Sequence, residues 1–311
     1  MSVQTPKGAA GQAPAAPTTT APAGGAQPAH GPQPSLGAQP LAAGVAALSA
    51  RDFARISGLL YQVCGIHLPS GKEQLVQARL WNRVRALGLN GFGEYVDRVQ
   101  AEGQGSAELS FMVDALATNK TSFFREPQHF TTLRSELRAA RPGRLRIWSA
   151  GCSTGEEPYS IAISILEERR GAARHDARIL ATDISSKVLD RAREAVYDPA
   201  TVHDMPQAIL ASHFTAEPRA DGPYYRVKPA ARGLVRFARL NLMAPWPMQG
   251  PFDFIFCRNV MIYFDRPTQE QLIARFRDIL RPGGLLFVGH SESLTGKSEG
   301  LTYVMPAVYR R

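Results

Sequence analysis

Two adjacent carboxylates, Glu156 and Glu157, follow the small-residue turn Gly151-Cys-Ser-Thr-Gly155, which in turn follows the run Arg146-Ile-Trp-Ser-Ala150. The order reads as strand, turn and helix. Glycines at 151 and 155 admit backbone angles closed to other residues and let a ligand approach the main chain. A phosphate-binding turn holds its anion at the positive end of the following helix, so two acids there argue for a cationic or hydroxyl-bearing ligand. Asp183, in Leu180-Ala-Thr-Asp-Ile-Ser185, closes a second apolar run. In nucleoside-binding α/β folds an acid at that place accepts hydrogen bonds from ribose hydroxyls. Alone it would read as a helix cap; beside the glycine turn the ribose reading leads. Asn119, Thr121 and Arg125, in Thr118-Asn-Lys-Thr-Ser-Phe-Phe-Arg-Glu126, are donors suited to a carboxylate, Arg125 through a two-pronged bond. Asn259-Val-Met-Ile-Tyr-Phe264 follows another apolar run and carries Tyr263, either a half-buried core ring or a hydroxyl aimed into a cleft.

A rival chemistry fits the same turn. Gly151-Cys-Ser-Thr-Gly155 matches the G-x-S-x-G nucleophile elbow, with Ser153 as nucleophile and Asp253 and His290 following in the order of a hydrolase triad. Against it, no oxyanion-type His-Gly-Gly loop precedes the turn, and the two glutamates would oppose a developing oxyanion. A C-x5-R phosphatase loop fails because position 158 is proline.

The elements that must position these groups change rhythm along the chain. From Leu48 to about Pro142 the spacing predicts helices: Ser49 and Asp52 resemble a capping box, and Phe53, Ile56, Leu59, Leu60 and Val63 follow helical periodicity. Val76, Leu80, Val84 and Leu87 form a second stripe ended by Gly88, and 91–101, 105–118 and 126–140 continue the helical pattern. Lys72, Arg79 and Arg83 fall on a line beside that stripe, either a solvated helix edge or a docking line for an acidic helix. From Leu145, strands at 145–150, 178–183, 252–257 and 285–289 alternate with helices near 156–169, 185–196 and 268–280, which predicts a parallel sheet covered on both faces. The stretch 198–234, with the hairpin-like Asp221-Gly-Pro-Tyr-Tyr-Arg-Val227, reads as a small inserted β subdomain. Residues 1–47 carry one charge, Lys7, and no aromatic residue, a composition that favours disorder.

The 311 residues suffice for two domains, and a net charge of +9 favours anionic partners or reflects base composition alone. Cys64, Cys152 and Cys257 are odd in number and far apart, giving neither a disulfide framework nor a metal site. No signal-peptide pattern and no apolar run of membrane-spanning length occurs, so a cytoplasmic protein is expected.

Together these motifs resemble the CheR-type chemotaxis receptor methyltransferases, over about residues 48 to 311. The resemblance rests on Asn119-Lys-Thr-Ser-Phe-Phe-Arg-Glu126, Ser149-Ala-Gly-Cys-Ser-Thr-Gly-Glu-Glu-Pro-Tyr-Ser160, Ala181-Thr-Asp-Ile-Ser185 and Phe256-Cys-Arg-Asn-Val-Met-Ile-Tyr-Phe264. It implies an all-helical N-terminal domain, 48–142, before a Rossmann-like α/β methyltransferase domain, 143–311, with an inserted antiparallel β subdomain. It implies methyl transfer from S-adenosyl-L-methionine to receptor glutamate side chains, giving S-adenosyl-L-homocysteine, with no metal and no nucleic acid. Cytoplasmic receptor domains are the implied partner, and a receptor C-terminal tail peptide a further one at the β subdomain. Carried over by motif, Asn119, Thr121, Arg125, Gly151, Glu156, Asp183, Asn241, Leu242, Asn259 and Val260 contact the cofactor. Arg125 and Tyr263 stand nearest the methyl group, and Lys72, Arg79 and Arg83 suit a glutamate-rich receptor helix. An inactive cofactor-binding adaptor is the alternative of a different class.

Overall fold

The computed structural model describes residues 2, 47–139, 143–169, 176–294 and 300–311. The stretch expected at 1–47 therefore lies outside the described residues apart from Ser2 and Ala47.

Four helices come first: α1 (Ala50–Cys64), α2 (Glu73–Ala86), α3 (Phe92–Glu102) and α4 (Ala107–Leu116). Ser49 caps α1 by accepting the Asp52 N–H, and Gly65, in the left-handed region, ends it. Ser106 caps α4 in the same way, accepting from Leu109. Their apolar stripes meet in a core built on Ile56, Leu60, Val76, Leu80, Tyr95 and Met112, all fully buried. α5 (Pro127–Ala139) then packs on the sheet through Phe130 and Leu133.

The next elements are β1 (Leu145–Ala150), α6 (Glu156–Glu168), β2 (Ala177–Asp183) and α7 (Ser186–Glu194). A small unit follows: β3 (Val196–Tyr197), α8 (Pro199–Val202), α9 (Gln207–His213), β4 (Phe214–Arg219), β5 (Gly222–Val227) and α10 (Pro229–Arg232). The chain closes with β6 (Val235–Arg239), β7 (Phe252–Cys257), α11 (Arg266–Ile279), β8 (Leu280–Val288), β9 (Thr302–Met305) and β10 (Val308–Arg310). The main sheet runs β6-β2-β1-β7-β8-β10-β9. Pairings from β6 through β8 are parallel, whereas β10 is antiparallel to both β8 and β9, so the sheet is mixed rather than wholly parallel. β3, β5 and β4 form a separate antiparallel sheet whose hairpin turns at Ala220-Asp221.

α5 and α6 cover one face of the main sheet, in a core that includes Phe254, Phe256 and Phe287. α11 covers the other, where fully buried Trp148 meets Phe276 and Trp246 edge-on. The Trp148 indole N–H donates to Thr182 Oγ1 at 2.9 Å, so its polar edge is satisfied inside the core. β2 lies on one side of β1 and β7 on the other, so the strand order reverses at β1. In an open α/β sheet the crevice beyond the C-terminal strand ends at such a point is where ligands bind.

Candidate active site

A cleft of about 360 Å³ occupies that crevice, within the usual range of small-molecule sites, about 300–1,000 Å³. Asn119, Thr121 and Arg125 line it from the segment joining α4 to α5, and Gly151 and Asp183 from the ends of β1 and β2. Asn241 and Leu242 follow β6, while Asn259, Val260 and Tyr263 follow β7. The helical bundle adds a wall of its own through the loop from Cys64 to Pro69 and through Lys72, Leu75 and Leu116.

The glycine turn is held from β2. Gly151 and Cys152 both donate to the Thr182 carbonyl, at 2.8 and 2.9 Å, and Ser153 N donates to Asp183 Oδ2 at 2.8 Å. Asp183 Oδ1 accepts from Ser185 N at 3.0 Å, so the carboxylate braces two loops and keeps lone pairs for the cleft. Burial pushes its pKa up against those backbone bonds. The two glycines serve packing as well as approach. A Cβ on Gly151 would come 2.3 Å from Val260 Cγ2, and one on Gly155 would meet the Tyr197 hydroxyl at 2.9 Å.

Of the paired glutamates, Glu157 lines the cleft and Glu156, the expected cofactor contact, does not. Successive helical residues point about 100° apart, and Glu156 turns back onto Thr154 Oγ1 at 2.7 Å. Glu157 turns inward, accepting from Ser149 Oγ at 2.7 Å and pairing with Arg258 at 3.1 Å. Burial raises the pKa of both acids, and at Glu157 the Arg258 charge opposes the rise. Ser153 donates to the Asn119 carbonyl at 2.8 Å. Asp253, near the start of β7, is held by Arg281 and the Arg146 N–H at the opposite end of the sheet from Ser153, so no hydrolase triad assembles.

The line of three cations is largely spent inside the bundle. Arg79 donates to the Leu116 and Ala117 carbonyls at 2.8 and 3.1 Å, capping α4. Arg83 makes a two-pronged bond to Glu108, with contacts of 3.0 and 2.6 Å, and its guanidinium lies over the Phe111 ring. Lys72 alone of the three stands on the cleft rim, exposed, near Lys120. Half-exposed Leu75 and Ile262 flank the same mouth.

Two groups escaped the sequence reading. Arg258, 6% exposed, lines the cleft and spans Glu157 and Glu126. Glu292, 7% exposed, accepts the N–H groups of Gly289, Asn259 and Ile262 at 2.5, 2.7 and 3.1 Å, which fixes the loop that carries Tyr263. Arg258 lay in plain view inside a quoted motif; its partners are 101 and 132 residues away, beyond any local pattern.

Glu126, His129 and His290 bring one ligand atom each within 4.8 Å of one another. The Glu126 oxygen facing both imidazoles already carries the Arg258 guanidinium at 3.0 Å, a cation in the position a metal would need. His129 is fully buried, its ring nitrogens lack hydrogen-bond partners, and burial together with the Arg258 charge holds its pKa at about 4. The unfolded chain, with histidine near 6.5, takes up that proton first, so stability present above the unfolded value is lost as pH falls toward 4. Urea unfolding is expected to lose about 2 kcal/mol more between pH 7 and 4.5 in the wild type than in His129→Gln. Equal losses in both proteins would remove His129 from the account.

A family profile described as "CheR methyltransferase, all-alpha domain" matches residues 51–117, and one described as "CheR methyltransferase, SAM binding domain" matches 119–309. The chain is 44% identical over 255 residues to a chemotaxis protein methyltransferase of Klebsiella aerogenes, spanning 80% of this chain and 85% of that one. It is 44% identical over 253 residues to the enzyme of the same name from Salmonella typhimurium, 80% and 86% of the two chains. With the Escherichia coli enzyme of that name it shares 42% over 267 residues, 85% and 91% of the two chains. The cleft's buried acids suit the amino group, sulfonium and ribose of S-adenosylmethionine, and the two profiles together cover the residues that line it, Thr118 excepted. The bundle, the mixed sheet and the cleft between them are those of an S-adenosylmethionine-dependent methyltransferase, and the chain belongs to the CheR methyltransferase family.

Proposed function

We propose that the protein methylates glutamate side chains of chemotaxis receptors, giving glutamyl methyl esters. The observation that carries this reading is the convergence of the 119–125 segment, Glu157 and Asp183, and the 259–263 loop on one cleft with a cationic, apolar-flanked mouth. Bound S-adenosylmethionine supplies a methyl group on a cationic sulfur, and the S–C bond breaks as the O–C bond forms. A glutamate carboxylate is ionised at neutral pH, so no residue has to remove a proton. Alignment is then the main task, and well-oriented reactants gain about 7–11 kcal/mol from proximity.

Asp183 accepts from ribose hydroxyls in this reading, and Glu157 faces the amino group and sulfonium. Asn119, Thr121, Asn241, Leu242, Asn259 and Val260 complete the cofactor wall. Arg125 spends one N–H on the Lys120 carbonyl, at 3.1 Å, and keeps its other donors for a carboxylate. A strong cation on the attacking oxygen would hold the nucleophile back, so Arg125 positions and Tyr263 orients the acceptor. Lys72 and Lys120, with Leu75 and Ile262, suit an amphipathic helix rich in glutamate, brought to the rim by charge complementarity. Among the described residues β4 pairs with β5 alone, which supports strand addition by a receptor tail peptide at its other edge.

Labelled methyl groups are expected to pass from S-adenosylmethionine to a receptor cytoplasmic fragment in a base-labile bond. Arg125→Ala and Tyr263→Phe should each lower kcat by about tenfold or more, Tyr263→Phe with less than about threefold change in cofactor Kd. Absence of base-labile label across cognate receptors would refute the reading, and wild-type kcat in both variants would refute the two roles.

A further inference from the structure

Arg125 sits in a backbone that needs restraint. The residues on either side, Phe124 and Glu126, have φ of 50° and 56°, left-handed values that cost a bulky side chain energy and persist only where the surroundings enforce them. Phe124 N–H donates to Ser160 Oγ at 2.9 Å, which fixes one side of the turn. The other side is fixed by Arg258. Its Nη2 donates to the Arg125 carbonyl and to Glu126 Oε2, the latter at 3.0 Å, and its Nη1 donates to Glu157 Oε2 at 3.1 Å. Phe130 closes the guanidinium from below, with the charge 5.7 Å from the ring centre.

A single forked cation thus ties the turn that presents Arg125 to the acid on the cleft wall. Ser149, on β1, completes the line through its bond to Glu157. Lysine could pair with one of these acceptors but not span them, because an ammonium lacks the planar fork.

We infer that Arg258 is the positioning residue of this cleft: it aims Arg125 by clamping the 124–126 turn and holds Glu157 toward the cofactor. The inference rests on the methyltransferase reading above. Removing Arg258 leaves the Glu157 and Glu126 carboxylates without the cation they share, with His129 and His290 beside Glu126 and the buried Cys152 and Cys257 thiols near Glu157. The acid limb of the pH profile must then move to higher pH, since the charge that opposed the burial of Glu157 is gone.

The whole 311-residue chain tests this with Arg258→Met, Arg258→Lys, Arg125→Ala and the Arg258→Met/Arg125→Ala double variant. Methyl transfer to a receptor fragment gives kcat, and titration with S-adenosylhomocysteine gives Kd. Arg258→Met is expected to lower kcat by about tenfold or more and weaken product binding by about fivefold, with the acid limb shifted upward and Arg258→Lys recovering part of each. In the Arg125→Ala background the Arg258 substitution should cost less than about twofold further in kcat, because its main effect passes through Arg125. Multiplicative losses, or kcat and Kd within about twofold of wild type, overturn the inference. If Arg258→Met gives no cooperative melt, Glu126→Gln decides: a kcat loss of about fivefold is expected, and an unchanged kcat overturns it. A wild type that binds product but transfers no methyl group refutes the functional reading instead, and Kd in Arg258→Met then judges the inference.

Discussion

Asp183→Ala is expected to weaken S-adenosylhomocysteine binding about 100-fold, equivalent to about 2.7 kcal/mol. The size follows from a double role. The carboxylate accepts the buried N–H groups of Ser153 and Ser185 at 2.8 and 3.0 Å, and each donor left unsatisfied costs about 1–3 kcal/mol. Losing it therefore releases the glycine turn together with the ribose acceptor proposed above. Asp183→Asn separates the two: the amide keeps the volume, but its NH2 must face one of the two N–H donors. An intermediate loss is expected. Isothermal titration of the three proteins measures it, and a Kd within about threefold of wild type in Asp183→Ala would rule out the role.

Glu292→Ala is expected to lower kcat about 100-fold at saturating cofactor, although Glu292 does not line the cleft. Three backbone N–H groups of the Gly289 and Asn259–Ile262 segments end on this one carboxylate, and Asn259 sits at φ 59° beside it. Without that acceptor the loop has no reason to hold a left-handed asparagine, and a displacement of about 1 Å at Tyr263 is enough for such a loss. Glu292→Gln should fall between, since one oxygen still accepts. Steady-state methyl transfer checks this, and a kcat within about threefold of wild type in Glu292→Ala would show that the loop holds itself.

Residues whose role is set by their own neighbours were legible from the sequence. β1 and β7 begin and end where apolar runs begin and end, and Ser49 announces α1 through a cap three residues long. Hidden elements are short or polar. β6 sets Arg236 and Arg239 among apolar residues, and β9 and β10 have four and three residues, so the pairings of β6 with β2, β10 with β8 and β9 with β10 are decided by the sheet. β8 begins at Leu280, ahead of its apolar run, because Leu280 already pairs with Phe252 across an irregular register.

In the site, residue type and strand-end placement were readable, but direction was not. Glu156 and Glu157 are indistinguishable as letters; one step of helix rotation sends the first to Thr154 and the second to Arg258. Arg79 and Arg83 looked like a solvent-facing line because their partners, Leu116 and Glu108, lie 37 and 25 residues away. Long-range pairing of this kind decides which charges remain for a ligand, and periodicity carries no record of it.

The loop after α1 has a consequence for inheritance. The two family profiles part at residues 117 and 119, as though the bundle and the sheet were exchangeable modules. Yet His67 N–H donates to the Tyr263 carbonyl at 2.8 Å, the Val63 carbonyl accepts from Asn241 Nδ2 at 2.6 Å, and Tyr61 reaches Asp265 at 2.7 Å. The seam between the modules runs through the cleft itself. A bundle exchanged with that of a relative would bring part of a foreign cleft wall with it, so the bundle and the cleft are inherited together.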